Sequence, residues 1–372
     1  MQEIKKRRIV IASVLKPADD PRMFEKIGQS LSKKYEVHCI GSTSKTIGNH
    51  ASIQLHLLPT FRRLSLSRII APIQIFRKIA TLKPSVVIFC THELLLISLA
   101  AKFFIGCRIV YDLQENYWRN IFYGKSFFVF FRPFLAAYVR LKERIASPFV
   151  DYFILAEKAY AEEMTFVNGK YIVLENKVKR SSLPTPPKKS VEDGNIHLLF
   201  SGTLAETTGV FDAIGISKKL YEANRRIRMT IVGYSPVPAT VKRINNEIKD
   251  SPFIELIGGD TFVSHDFITS SIQSSDFGII AYPPNPSTTN SIPTKLYEYL
   301  GYQLPILLIN HEPWVKICQP YPAAILFDPA NFDTKAIQEA MDSQKFYQTP
   351  PVHVFWESEE SKLLQTIETL IK

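Results

Sequence analysis

The segment Asn290-Ser-Ile-Pro-Thr-Lys-Leu-Tyr-Glu-Tyr-Leu-Gly-Tyr-Gln-Leu-Pro305, which continues into the apolar run Ile306–Ile309, contains a loop, a helix and a strand. Proline has no N–H to lose and a φ that suits a first helical turn, so the sequence predicts a helix over Pro293–Gly301. Its apolar positions predict a buried face, and Gly301 predicts the residue just past the helix end. The apolar run that follows predicts a strand, so this segment is one α/β unit.

The start of this helix has the chemistry of an anion site. Free backbone amides and the positive end of the helix dipole favour negative charge, and Ser291, Thr294 and Lys295 add two hydroxyl groups and an ammonium. Glu298 lies one turn beyond Thr294, where its carboxylate can accept two hydrogen bonds from a ribose diol. The polar loop before the helix follows an apolar strand, Phe277–Ala281, and open α/β sheets bind ligands at such strand ends. The segment therefore predicts a nucleotide site.

Strand and helix patterns alternate through both halves of the chain. In the first half they predict strands at Arg8–Val14, Tyr35–Ile40, Ser52–Leu58, Ser85–Cys90, Cys107–Tyr111 and Asp151–Leu155, and helices at Arg22–Lys33, Leu66–Leu82, Leu94–Phe104 and Phe128–Ile145. In the second half they predict strands at Ile196–Ser201, Met229–Val232, Phe253–Ile257, Phe277–Ile280, Pro305–Ile309 and Ala324–Phe327, and helices at Val210–Asn224, Ala239–Lys249, Asp266–Ser274 and Glu357–Ile371. This alternation predicts an α/β fold with a doubly wound parallel sheet in each half.

A segment rich in proline and charge separates the two halves. Residues 181–195 predict an interdomain linker, because such composition is typical of exposed connections. The sequence therefore predicts a first domain over residues 1–180, joined by 355–372, and a second domain over 196–354.

Glycines follow several of the predicted strands in the second half. Gly202, with Thr203 beside it, joins the first of these strands to a helix, and Gly233 and Gly258 lie at the ends of the next two. Glycine lets backbone amides approach a ligand closely, although a turn that needs glycine explains each position equally well. The loop has neither a Walker lysine nor a dinucleotide fingerprint.

Polar residues also follow strands of the first half. Asp19 or Asp20, just before Pro21, predicts a helix cap. Arg22 lies in the first turn, where the dipole disfavours a cation unless an anion is near. His92 follows the strand ending near Cys90, and Gln114 and Glu115 follow the strand ending near Tyr111. Each residue alone fits a structural role, but together they fall at one edge of the sheet.

The composition is that of a globular protein, with 46% hydrophobic and 22% charged residues in 372. The four cysteines show no CxxC pairing and are predicted to be buried thiols in a reducing compartment. The run Lys5–Arg8 leads into Ile9–Ala12, which is too short for a signal core. The longest apolar stretch, Val86–Val110, contains charged residues and so makes a poor membrane span. We expect a cytoplasmic protein.

The net charge of +10 requires an explanation. Nucleic acid is not the expected partner, since the sequence has no helix-turn-helix, zinc or RNP motif. Between Asn116 and Arg144, aromatic residues alternate with basic ones, which suits an anionic membrane surface. A buried helix hairpin with arginines on its wet side is the alternative. The basic clusters Arg62-Arg63, Arg68 and Arg77-Lys78 favour the membrane.

The segment around residue 298 resembles the Glu-x7-Glu signature of the retaining glycosyltransferases of family four. Pro293, Lys295, Glu298 and Tyr299 fit a Pro-x-Lys-x-x-Glu-Tyr form of that signature. In this family the second glutamate binds the donor ribose and matches Glu298. The first contacts the transferred sugar, and Asn290 holds its position here.

The resemblance implies the GT-B fold, in which two Rossmann-like domains face each other across a cleft and a C-terminal helix crosses back to the first domain. It implies donor binding by the second domain, with Gly202, Thr203, Gly233, Gly258, Ser291, Thr294, Lys295 and Glu298 as site residues. Thr203 and Thr207 or Thr208 replace the usual Arg/Lys pair. In the first domain it places Asp20, Arg22, His92 and Glu115 near acceptor or phosphates, and Gln114 replaces a histidine near the reacting sugar.

We therefore expect a retaining, metal-independent glycosyltransferase that uses a UDP or GDP sugar as substrate and needs no cofactor, with Asn290, Glu298 and Gln114 at the reacting sugar. The acceptor is expected to be a lipid-linked or envelope glycan, such as a lipopolysaccharide precursor, at the inner face of the cytoplasmic membrane. Two alternatives stay open: a nucleotide-sugar epimerase of the same fold, and a non-catalytic scaffold. The substitutions at Asn290, Gln114 and Thr203 favour the scaffold.

Overall fold

The computed structural model describes residues 6–42, 53–59, 66–124, 127–180, 193–286 and 289–372. The chain divides into two compact units. The first comprises Met1–Asn176 and Trp356–Lys372, and the second comprises Lys177–Phe355. Most of the predicted linker, residues 181–192, lies outside the described residues, as does the basic pair Arg62-Arg63.

The first unit is built on a sheet of seven strands among its described residues, with every neighbouring pair parallel. The strands are β1 (Arg8–Pro17), β2 (Glu36–Ser42), β3 (Ile53–Leu58), β4 (Val86–Phe89), β5 (Arg108–Leu113), β6 (Tyr152–Leu155) and β7 (Tyr171–Val173). Their spatial order is β3-β2-β1-β4-β5-β6-β7, so the chain winds outward in both directions from β1 and β4.

Helices lie between these strands. They are α1 (Gln29–Ser32), α2 (Leu66–Leu82), α3 (Leu95–Ile105), α4 (Tyr117–Tyr123), α5 (Arg132–Ala146) and α6 (Tyr160–Glu163). A π-helical segment, Pro21–Gly28, precedes α1, and a 3-10 turn, Val129–Phe131, precedes α5. The sequence predicted α2 with the correct bounds but missed α4, whose short aromatic run has no clear helical period.

The second unit has a parallel sheet of six described strands. They are β8 (Ile196–Thr203), β9 (Ile227–Tyr234), β10 (Ile254–Gly259), β11 (Phe277–Ile280), β12 (Ile306–Ile309) and β13 (Ala324–Phe327). Its helices are α7 (Val210–Ala223), α8 (Pro238–Ile248), α9 (His265–Gln273), α10 (Thr294–Gly301), α11 (Glu312–Cys318) and α12 (Thr334–Ser343). The spatial order β10-β9-β8-β11-β12-β13 repeats the outward winding of the first unit.

The C-terminal helix α13 (Glu357–Ile371) packs in the first unit, as the fold class predicted. Leu363 and Ile367 are fully buried in the core beneath β1, and the Trp356 indole N–H donates to Ser30 Oγ at 2.9 Å. The predicted fold class, two doubly wound parallel-sheet domains, is thus confirmed.

All four cysteines are buried free thiols, as predicted. The apolar stretch Val86–Val110 folds as β4, α3 and part of β5. Within the described residues, none of the helices combines the length and the apolarity that a membrane crossing requires.

Candidate functional site

The winding of the second sheet reverses between β8 and β11, and loops after the carboxyl ends of these strands meet there. A Cβ atom added to Gly209, after β8, would lie 1.9 Å from the carbonyl oxygen of Ala281, after β11. Gly209 also has a φ of +79°, a backbone conformation that residues other than glycine adopt only at an energetic cost. Such a reversal at the carboxyl ends is where doubly wound sheets bind ligands.

Lys295 places an ammonium at this point from the first turn of α10. Its Nζ lies 3.8 Å from the centre of the Phe200 ring and 5.3 Å from that of Tyr282. The side chain is 6% exposed, and Nζ has no hydrogen-bond partner among the described residues. Burial lowers the pKa of Lys295 to about 7, and the nearby Glu298 carboxylate offsets only part of this effect.

Gly202 lies beside this side chain. A Cβ at Gly202 would lie 3.8 Å from Lys295 Cε, and the φ of Gly202 is +100°. The predicted phosphate-binding lysine and the predicted glycine loop therefore lie side by side.

Glu298 lies on the same helix and contacts a residue that the sequence analysis missed. Its Oε1 is 3.2 Å from Nε2 of His265, at the first position of α9. The Glu298 side chain is 16% exposed, so its carboxylate keeps access to solvent. His265 follows the strand end at Gly258-Gly259, and that position in the sequence could have identified it as a candidate site residue.

Two of the predicted donor-site glycines have a structural reason that needs no ligand. Gly202, Gly233 and Gly258 occupy matching positions on β8, β9 and β10. A Cβ at Gly233 would lie 1.7 Å from the Gly202 carbonyl oxygen, and one at Gly258 would lie 2.3 Å from that of Gly233. Close backbone approach between the strands therefore explains Gly233 and Gly258.

The helix begins one residue later than predicted and ends at Gly301, which is therefore not the residue past its end. Pro293 is the N-cap and Thr294 the exposed first residue of α10, because the ψ of Pro293 is 129° and thus not helical. Gly301 is the last helical residue, and Gln303 has the positive φ of 55°. Gly301 is needed for packing instead, since a Cβ there would lie 2.5 Å from Val178 Cγ1.

The loop before α10 is tied to α11. The Trp314 indole N–H donates to the carbonyl oxygen of Ser291 at 2.9 Å, and the Trp314 ring packs edge-on against Tyr282. Asn290 and Thr203 are also placed at this carboxyl edge, before α10 and at the end of β8.

In the first unit, Asp20 and Arg22 have protein partners. Asp20 Oδ1 accepts from the backbone amides of Arg22 and Met23 at 3.0 and 3.1 Å, so the predicted cap is Asp20 and not Asp19. The Arg22 guanidinium is buried and pairs with Asp112 on β5 at 2.8 Å, and it also donates to the Leu174 carbonyl. The anion that the sequence required near Arg22 is thus Asp112, and its contact with phosphate stays a prediction.

Gln114 extends this network. Its Nε2 donates to Asp112 Oδ2 at 2.6 Å, and its Oε1 accepts from the Lys16 ammonium. Gln114 is thereby fixed by charged groups on both ends of its amide.

A pocket of about 320 Å³ opens where the first sheet reverses, between β1 and β4. Lys16, Arg68, Thr91, His92, Glu93 and Glu115 line its polar side, and Tyr117, Phe127 and Tyr138 contribute aromatic rings. The pocket thus brings together His92 and Glu115, which the sequence predicted, with Lys16 and Arg68, which it missed. We call it the β1–β4 pocket.

Two oxygens at this pocket lack hydrogen-bond partners. Thr91 is 1% exposed, and its Oγ1, like Oε2 of Glu93, accepts from and donates to no group among the described residues. Burial lowers the pKa of His92 to about 4, so its ring is neutral and Nδ1 accepts from the Lys142 ammonium at 3.0 Å. A pocket with paired charges, two unpaired oxygens and aromatic rings suits a neutral ligand rich in hydroxyl groups.

The described part of the chain contains no cluster of three His, Cys, Asp or Glu side chains arranged to hold a metal ion.

The aromatic segment forms an exposed surface. Eight side chains before and along α5 are mostly solvent-exposed, and we call them the apolar face: Phe128, Val129, Phe130, Phe131, Phe134, Tyr138, Leu141 and Ile145. The alternative of a buried helix hairpin is therefore wrong for these residues. Lys125, which the sequence analysis grouped with them, lies outside the described residues.

No protein-family model matches the chain, and no curated protein sequence matches it. Solved structures do. Sucrose-phosphate synthase from Thermosynechococcus elongatus matches with a TM-score of 0.72 and 12% identity, over 98% of this chain and 99% of that one. A UDP-forming α,α-trehalose-phosphate synthase from Burkholderia xenovorans matches with a TM-score of 0.67 and 10% identity, over 99% and 100%.

Anabaena HepE, solved in complex with UDP and glucose, matches with a TM-score of 0.64 and 14% identity, over 98% of each chain. Identities this low establish a shared fold and not a shared activity. The chain therefore has the two-Rossmann fold of these glycosyltransferases.

Proposed function

We propose that this protein is a retaining glycosyltransferase that transfers a sugar from a nucleotide-diphosphate sugar to a glycan acceptor at a membrane surface. The observation that carries the proposal is the buried Lys295 ammonium, which has no hydrogen-bond partner among the described residues. An unpaired buried charge is costly, so a binding anion would stabilise the protein locally. The donor diphosphate is the anion that the surrounding site fits.

The neighbouring groups support a nucleotide as the source of that anion. Gly202 lies beside Lys295, and Glu298 lies one turn along α10 with a carboxylate that can accept from a ribose diol. Lys295 would then stabilise charge on the departing diphosphate, in place of the Arg/Lys pair that Thr203 and Thr207 or Thr208 replace. UDP is the first candidate, since HepE was solved with UDP and the Burkholderia enzyme is UDP-forming.

The β1–β4 pocket is our candidate for the acceptor. The buried, unpaired oxygens of Thr91 and Glu93 can bind sugar hydroxyls if these enter the pocket, and the rings of Tyr117 and Tyr138 can pack against a sugar face. Phe127, at the rim of this pocket, directly precedes the apolar face. An acceptor with a sugar head and a lipid anchor suits this combination. We propose that the protein binds it peripherally on the inner face of the cytoplasmic membrane.

Retention requires the acceptor hydroxyl to enter from the face that the diphosphate leaves. Asn290, Glu298 and Gln114 are our candidates at the reacting sugar, where the amides of Asn290 and Gln114 can donate and accept hydrogen bonds but cannot act as a general acid or base. We propose that no metal is required.

Calorimetric titration with UDP, GDP, ADP and CMP and their sugar conjugates, with and without Mg²⁺, tests the donor site. We expect saturable binding of one diphosphate family, weakened in Glu298→Ala by about 1.5–3 kcal/mol for each charge-assisted hydrogen bond lost. Glu298→Gln keeps the side-chain size and should show a smaller loss, and Glu222→Ala, an exposed glutamate of α7, should bind like wild type. Unchanged affinity in both Glu298 variants would remove this residue from the site.

A non-catalytic scaffold is the second candidate, and the substitutions at Asn290, Gln114 and Thr203 favour it. The same titration followed by product analysis separates the two functions. A scaffold would bind the nucleotide sugar without releasing nucleoside diphosphate in the presence of any lipid-linked acceptor.

A further inference from the structure

A second cavity of the first unit, of about 530 Å³, lies between α4 and α5. Trp118 and Arg119 of α4 and Arg140 and Arg144 of α5 line it, and Glu163 contributes one carboxylate. We call it the arginine pocket. It shares no lining residue with the β1–β4 pocket, so the proposed acceptor site does not account for it.

The charges of the arginine pocket are only partly balanced. Arg119 pairs with Glu163 at 2.6 Å, and Arg140 pairs with Glu143 at 3.3 Å. Burial raises the pKa of Glu143 to about 7, so this carboxylate is only partly ionised at neutral pH. Arg144 makes no hydrogen bond or ion pair within the described ranges, and the pocket therefore carries excess positive charge.

The helix places this charge beside apolar surface. Ala137, Arg140 and Arg144 follow the three- and four-residue spacing of one helical stripe. Phe134, Tyr138, Leu141 and Ile145 form the next stripe and are all exposed. A ligand that fills the pocket and also covers the neighbouring stripe must have an anionic head and an apolar body.

We propose that the arginine pocket binds the phosphate of an anionic phospholipid head group at the membrane surface. Planar guanidinium groups match phosphate oxygens in pairs, and tryptophan beside them is typical of the lipid interface. A free phosphate ester has the same charge chemistry but would leave the apolar stripe exposed. The inference rests on the membrane association proposed above, and it is independent of the donor site.

Fluorescence quenching by vesicles tests it with the full chain. Trp314 and Trp356 are buried, whereas Trp118 lines the pocket, so brominated acyl chains should quench Trp118 selectively. We expect strong quenching by vesicles of phosphatidylcholine with phosphatidylglycerol, weak quenching by phosphatidylcholine alone, and loss of the signal in Trp118→Phe. Arg144→Gln should weaken binding to the anionic vesicles about fivefold. Arg226→Gln, which removes an exposed arginine of the second unit, should not.

Each other result overturns the inference in a recognisable way. Equal vesicle binding by Arg144→Gln and wild type would show that the arginine pocket does not bind the lipid. An equal loss of binding in Arg226→Gln would show that net charge alone explains the effect. Saturation by soluble glycerol phosphate, with competition against vesicles, would assign the pocket to a free phosphate ester. Absence of binding to every vesicle, with UDP binding intact, would refute the membrane association and leave the donor site standing.

Discussion

Lys295 shows what a single residue can and cannot reveal in the sequence. Its place after Pro293 predicted a cation beside a helix start, and the structure puts it there. The sequence could not show that its ammonium lacks a hydrogen-bond partner, because its surroundings come from Phe200 and Tyr282, on different strand ends. The same holds for Arg22, whose counter-charge is Asp112, a residue distant in sequence.

Replacing Lys295 tests the cost of this buried charge. The folded-state pKa falls from 10.5 to about 7, so below pH 7 both states are protonated and the folded protein bears the full cost of the charge. Between pH 7 and 10.5 the unfolded state binds more protons, and stability rises with pH. Without ligand, Lys295→Met should therefore be more stable than wild type, by at most about 5 kcal/mol, with the largest gain below pH 7.

Urea unfolding between pH 6 and 10 measures that gain. A bound diphosphate should also return Lys295 to its charged form. Titration of UDP near pH 8.5, in buffers of different ionisation enthalpy, should show proton uptake in wild type and less of it in Lys295→Met. A gain in stability that does not change with pH would contradict the assignment.

At the scale of helices and strands, the sequence predicted the elements with a clear apolar pattern well and those with few buried positions poorly. The bounds of α2, β11, β13 and α13 were correct, since each has a clear apolar period or run between turn residues. The sequence analysis missed α11 and α12, which have few buried positions, and took Pro21–Gly28 for an α-helix where the backbone is π-helical. Hydrogen-bond pattern within a helix is not encoded in hydrophobic spacing.

The close approach of β8 and β9 at Gly233 predicts that a larger side chain there lowers the stability of the protein. Gly233→Ala should destabilise the protein by roughly 1–3 kcal/mol, because its Cβ would overlap the Gly202 carbonyl of the neighbouring strand. Gly215→Ala on α7 is the matched control: no atom lies within 4 Å of its Cβ, and alanine favours a helix by about 0.5–1 kcal/mol. Thermal unfolding of both variants checks this, and equal stability would show that β8 and β9 tolerate the extra atom.

At the scale of the whole molecule, composition predicted the chemistry of the surface but not its location. The charge of +10 and the aromatic residues between Asn116 and Arg144 pointed to a membrane. Only the structure shows that the apolar face is exposed, because the same sequence pattern also fits a buried hairpin. The donor site was easier to predict, since most of its residues lie within one short segment.

Membrane association predicts a large effect of small changes on the apolar face. Phe128→Ser and Phe130→Ser remove rings that are 81% and 84% exposed, so folding should be unaffected while vesicle binding falls roughly tenfold for each. Phe262→Ser, an exposed phenylalanine of the second unit, is the control. Vesicle sedimentation at low and high salt measures the effect. Equal partitioning of all variants would show that this face does not contact lipid.

The first unit is made from two separate parts of the chain, and this has a consequence for its synthesis. Residues up to Asn176 leave the ribosome well before Trp356, Leu363 and Ile367, which complete the core beneath β1. The second unit is continuous and has all its core residues once Phe355 has emerged. The half that is translated first is therefore the half whose core is completed last.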